Sequence, residues 1–144
     1  MTTSTILQET AAGAAIEKKN EIAAPRVTRF FAGLIMLGVL LQATLAGGYL
    51  AGRVSIELHG YIGESLALVG LIVLVAGIVG RRSVREPGAT LASRIGLFLA
   101  IVAAIGLGEM ANHGMRDLLM LHIPVALIIL GLADGLRRAA RRMD

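Results

Sequence analysis

Two histidines set in apolar surroundings are the residues of this chain best suited to chemistry. "IELHGYIGESLALVGLIV", Ile56 to Val73, and "LMLHIPVALIILGL", Leu119 to Leu132, each place one imidazole at the mouth of a long apolar run. A neutral imidazole offers one lone-pair nitrogen, and two imidazoles from different helices can ligate a single metal or haem iron. The histidines stand 63 residues apart, and the match continues around them. Arg53 pairs with Arg116 and Leu58 with Leu121, while Ile62/Val125, Gly63/Ala126 and Gly70/Ala133 keep their size and polarity. Two readings stand at this point. Either His59 and His122 are axial ligands of one iron, or they are separate interfacial imidazoles and the small residues only let helices pack closely.

The elements that must position them are membrane spans. Of 144 residues 56% are hydrophobic, and the mean hydropathy of +0.75 exceeds what a soluble core of this size requires. Four apolar stretches, Phe30 to Leu50, Ile56 to Val79, Ile95 to Ala111 and Leu118 to Leu136, are each near the roughly 20 residues that cross the hydrocarbon as a helix. Short connections, "AGRVS" and "NHGMRD", make neighbours antiparallel. The expected fold is an all-α integral membrane four-helix bundle, up-down-up-down, built of two pseudo-repeated hairpins. Its expected parts are a mobile or surface-helical tail over 1–26, a four-span bundle over 27–137 and a basic tail over 138–144. Hairpins repeated in one orientation place spans two and four parallel across the bundle diagonal, with His59 and His122 level.

Charge sets the orientation. Lys18, Lys19, Arg26 and Arg29 precede the first span, Arg81, Arg82, Arg85 and Arg94 lie in the middle loop, and Arg137, Arg138, Arg141 and Arg142 follow the last span. Twelve of the fourteen basic residues thus lie on one side, which the positive-inside rule makes cytoplasmic. The net charge of +4 is explained by orientation and anionic headgroups, so membrane lipids and not nucleic acid are the expected contact. The absence of cysteine excludes disulfides, thiolate metal sites and cysteine nucleophiles.

For haem, Gly63, Gly70 and Gly77 fall within about 40° of the His59 direction at ~100° per residue, and Ala126, Ile129 and Ala133 play the same part below His122. Arg53 and Arg116 stand where propionates could meet a guanidinium. Glu64, Glu57, Glu109 and His113 form a further possible proton or polar site, with Asn112 beside them. A solvated helix end with Gly114 as its stop is the better explanation of the Glu109 to His113 cluster, which has no recognised ligand spacing. Asp134 is expected to pair with Arg137 or Arg138, and Met36 is expected to pack. No catalytic residue is assigned.

At "LLQATLAGGYL", Leu40 to Leu50, followed by "ELHGYIGESLALVGLIVLV" and later "LMLHIPVALIILGL", the chain resembles one four-helix half of the haem A synthase family. The resemblance covers Phe30 to Arg137 and implies a ligand role for His59 and His122. The chain departs from the family in having one bundle instead of two, no cysteine pair, and Glu57 at a different spacing from its histidine. Taken with the resemblance, the expectation is a multi-pass protein of the cytoplasmic membrane, both termini inside. It would hold one haem b per chain, for electron transfer or haem handling in respiratory oxidase assembly. Haem A synthase-like oxidoreductase activity stays open, and the partner is a respiratory complex or a second copy. The rival expectation is a cofactor-free accessory subunit or assembly factor of a larger membrane complex. Because the chain has no native cysteine, single substitutions can test the orientation. In intact cells a membrane-impermeant maleimide should label Ser55→Cys and leave Ser83→Cys unlabelled; the reverse pattern would invert the topology.

Overall fold

Backbone N–H and C=O groups in hydrocarbon must be satisfied within their own segment, and runs this apolar therefore become helices. The computed structural model of the chain describes residues 3–80 and 88–142, with the side chains of 3–11, 14–24, 88 and 89 outside the description. Four helices follow one another: α1 (Thr3–Leu50), α2 (Ile56–Gly80), α3 (Gly88–Asn112) and α4 (Leu119–Arg141), with a short 3₁₀ turn, Arg116–Leu118, leading into α4. All four carry a span of membrane length, Pro25–Leu50, Ile56–Gly80, Thr90–Asn112 and Arg116–Arg141. Their 23 to 26 residues correspond to about 35–39 Å at ~1.5 Å per residue, enough to cross a ~30 Å core. The chain is a multi-pass membrane protein. α1 starts at Thr3, so most of the segment expected as a separate tail is continuous with the first span. Arg81, Arg82 and Arg85 of the middle loop lie outside the described residues.

Each helix packs on two neighbours, α1 on α2 and α4, and α3 on α2 and α4. Among the described residues no Cα of α2 comes within 8 Å of one in α4, so these two are diagonal, as the repeat predicts. The interior is aliphatic, with Ile35, Leu66, Val73, Leu97, Ile101, Ile129 and Leu136 buried together. Leu37, Leu68, Leu99 and Leu127, one from each helix, are all about 60% exposed or more. In water such an all-round apolar surface would drive association; in lipid it is the favoured exterior.

Both connections at the histidine end stop their helix in the same way. Gly52, at φ 68°, ends α1, with the N–H of Arg53 donating to the Gly48 carbonyl and that of Gly52 to Tyr49. Gly114, at φ 105°, ends α3, with Met115 N–H donating to Met110 and Gly114 N–H to Ala111. This paired 6→1 and 5→2 bonding closes a helix through a left-handed residue, a conformation in which a Cβ is costly.

At the opposite end one expectation needs correction. Arg94, assigned above to the middle loop, lies inside α3 and is fully buried. The groove that receives it is cut in α2 by Gly77, which lies directly under the Arg94 side chain, and the guanidinium Nη1 donates to the Val73 carbonyl, 3.1 Å away. Hydropathy averages place an arginine outside a span; the fold keeps it inside because the missing Cβ at position 77 gives its stem a channel and a backbone carbonyl receives its head. A methyl group added there has nowhere to go. Gly77→Ala should lower stability by about 1–3 kcal/mol through overpacking, whereas Gly131→Ala, which points into open space, should not. Denaturation of the two variants by SDS titration from mild detergent measures the difference.

Candidate cofactor site

His59 and His122 are each the fourth residue of their helix, α2 and α4. Both follow a glycine-stopped turn, at the same end of the bundle and on diagonal helices. Their ring centroids are 6.1 Å apart with planes inclined by 46°, and both residues are half-buried. The separation discriminates between kinds of metal site. With metal–imidazole bonds of about 2.0–2.1 Å, two rings on opposite sides of one ion put their centroids about 6.3 Å apart, and a tetrahedral angle shrinks this to about 5 Å. The observed value lies close to the opposed arrangement.

The two rings are held differently. His122 Nδ1 stands 3.0 Å from the Ala104 carbonyl oxygen of α3. A carbonyl can only accept, so in the hydrogen-bonded neutral ring Nδ1 carries the proton and Nε2 presents the lone pair. Gly108, one helical turn beyond Ala104, also faces this ring: a Cβ there would meet His122 Cε1 at 3.5 Å and Nδ1 at 3.7 Å. On the other hairpin the side-chain amide of Gln42 in α1 donates from Nε2 to the backbone carbonyl of His59 at 2.9 Å. Gly63 makes room for that amide, since a Cβ at 63 would lie 2.9 Å from Gln42 Nε2. His59 Nδ1 and Gln42 Oε1 are buried with no hydrogen-bond partner among the described residues. Burying such atoms unpaired costs about 1–3 kcal/mol each, a cost that a bound water or another polar partner would remove.

The remaining candidates fall elsewhere. Gly70 is buried against α3, where a Cβ would meet Ile101 at 2.8 Å and Phe98 at 3.6 Å, and Ala133 and Ile129 are core residues. These small positions serve helix packing; Ala126 is half-buried on α4. Arg53 and Arg116 are exposed at the histidine end. Glu57 and Glu64 are exposed, and Glu109 is joined to His113 by a 2.9 Å contact at the exposed end of α3. Asp134 pairs with both expected arginines, at 3.7 Å to Arg137 and 2.6 Å to Arg138. Gln42 acquired a site role only in three dimensions. Its signal was available, because it is the single amide in the first span and polar side chains in lipid tend to seek a neighbouring helix.

No protein-family model matches the chain, and no curated protein or solved structure matches it either. The fold and the site geometry therefore carry the functional reading. The amide itself can be probed first. Gln42→Leu removes one bond and one unpaired oxygen together and should change stability by less than about 1 kcal/mol. Gln42→Glu would put a carboxylate at the same half-buried place and should cost about 2–3 kcal/mol at neutral pH. Equal effects of the two in an SDS titration would show that the Gln42 environment is not protected from water.

Proposed function

We propose that the chain is a b-type haem-binding protein of the cytoplasmic membrane, with both termini inside, in which His59 and His122 would hold the haem iron. The observation that carries this reading is the 6.1 Å spacing of two imidazoles from diagonal helices that have no Cα within 8 Å of one another. Among the described residues no group of three or more His, Cys, Asp or Glu could hold a bare ion. Two opposed imidazoles suit a metal that brings its own equatorial nitrogens. In the neutral His122 ring the bond at Nδ1 leaves the Nε2 lone pair to face a metal, and His59 would ligate through its Nε2 in the same way.

Bound haem supplies one-electron iron chemistry, and the protein's own residues set its conditions. The Ala104 carbonyl orients the His122 ring and raises its basicity, as a carbonyl acceptor does for metal-ligating histidines generally. Gln42 anchors the main chain at His59. The aliphatic core formed by Leu66, Ile101 and Ile129 lowers the local dielectric and keeps water from the bundle interior. Arg53 and Arg116 stand ready for propionates at the exposed end. With the resemblance to half of haem A synthase, this supports electron transfer or haem handling in respiratory oxidase assembly.

A reduced-minus-oxidised absorption spectrum of the detergent-purified protein from haem-replete cells tests the reading. The expected outcome is a b-type spectrum, at up to one haem per chain, that is lost or displaced when either histidine is replaced by alanine. A colourless protein that also fails to take up added hemin would end the proposal.

A further inference from the structure

The two histidines occupy matched positions yet are restrained by different atoms, and this asymmetry has a chemical consequence if the haem reading above holds. On the second hairpin the ring itself is tied: His122 Nδ1 donates to the Ala104 carbonyl, which fixes both the tautomer and the rotation of the imidazole. On the first hairpin the position equivalent to Ala104 is Leu41. There the neighbouring Gln42 crosses to α2 and binds the main chain of His59, not its ring. The His59 Nδ1 stays buried with no hydrogen-bond partner among the described residues. One imidazole is therefore held by its ring and the other only through its backbone.

We infer that His122 is the permanent ligand and His59 the exchangeable one, so that the His59 side of the iron is a binding position for a small neutral diatomic molecule. Departure of the His59 ring breaks no hydrogen bond at Nδ1. His59 lies in the first turns of α2 and is only half-buried, so a swing toward the exposed end lets that nitrogen meet water or headgroups. The Gln42 bond to the main chain survives the swing and keeps the helix in place. Carbon monoxide, neutral and a ligand of ferrous iron, probes that position without bringing a charge into the bundle. With ferrous iron and carbon monoxide the exchange balances simply. The iron–nitrogen bond to His59 breaks, its electron pair leaves with the neutral imidazole, and the carbon lone pair forms the new bond, with no electron gained or lost.

Carbon monoxide added to the dithionite-reduced, haem-loaded full chain provides the test. The unaltered protein should bind it, seen as a shifted Soret band, with a rate limited by departure of His59. His59→Gly should keep at least half of the haem, bind carbon monoxide at least tenfold faster, and regain a six-coordinate spectrum when imidazole is added. His122→Gly should lose the haem. The inference is overturned if the coloured unaltered protein ignores saturating carbon monoxide, or if His59→Gly loses haem as completely as His122→Gly; in both cases bis-histidine binding itself would stand. A chain that takes up no haem at all overturns the proposed function, and this inference with it.

Discussion

The geometry at the histidine end depends on a constraint of helix rotation. Each residue added before a histidine would turn its ring by about 100° around the helix axis, so two rings meet across a diagonal only if both helices begin in the correct register. The connections after Gly52 and Gly114 deliver that register over different lengths: His59 is seven residues past Gly52, and His122 is eight past Gly114, with the 3₁₀ turn Arg116–Leu118 in the longer connection. Each glycine ends the preceding helix by the same pair of backbone bonds, and α2 and α4 then start so that histidine is the fourth residue. Because α2 and α4 share no backbone approach, the distance between the rings is set indirectly, through α2 on α1 and α3 and through α4 on the same two helices. The Gln42 and Ala104 bonds lie at two of these contacts, and each ties a histidine to the helix before it.

The other end of the bundle is fixed by a different kind of interaction. A buried guanidinium is expensive to desolvate, and it persists where the fold gives it an acceptor and a packed channel. The Arg94 side chain meets both conditions through Val73 and Gly77, which stand one turn apart on α2 and are both buried. The α2–α3 contact continues toward the histidines through Gly70 against Ile101 and Phe98. The small residues of α2 thus divide by depth: Gly77 and Gly70 admit α3 side chains, and Gly63 admits the Gln42 amide from α1. A single small-residue face is in fact used toward two different neighbours.

The spans, the diagonal placement of α2 and α4, the Gly114 stop and the Asp134 ion pairs could be read from the sequence because each depends on local periodicity or on spacings of three and four residues. Arg94 could not, since hydropathy treats an arginine near a span boundary as a loop residue and takes no account of a glycine on another helix. The role of Gly63 and Gly70 was only half legible. Their shared angular position was correct, but what lies opposite each is decided by the height of side chains on α1 and α3. Gln42 illustrates the same limit: its polarity announced a partner, and only the fold could say that the partner is the main chain of a histidine.

The two hairpins show why a repeat detected in sequence understates functional difference. Matching residues at a fixed offset report which positions correspond, and the two glycine stops share their bonding although they stand 62 residues apart and the histidines 63. Hydrogen bonding at the rings is not a property of the matched positions. It depends on a third residue, and at that place one hairpin has Gln42 where the other has Ile105. An aliphatic side chain cannot donate to a histidine carbonyl, and in that hairpin the ring turns its Nδ1 to the Ala104 carbonyl; an amide can donate, and in its hairpin the histidine is held by the main chain and the ring nitrogen is left over. One difference between the matched hairpins, Gln42 against Ile105, thus accompanies two imidazoles at the same end of the bundle with different hydrogen bonding.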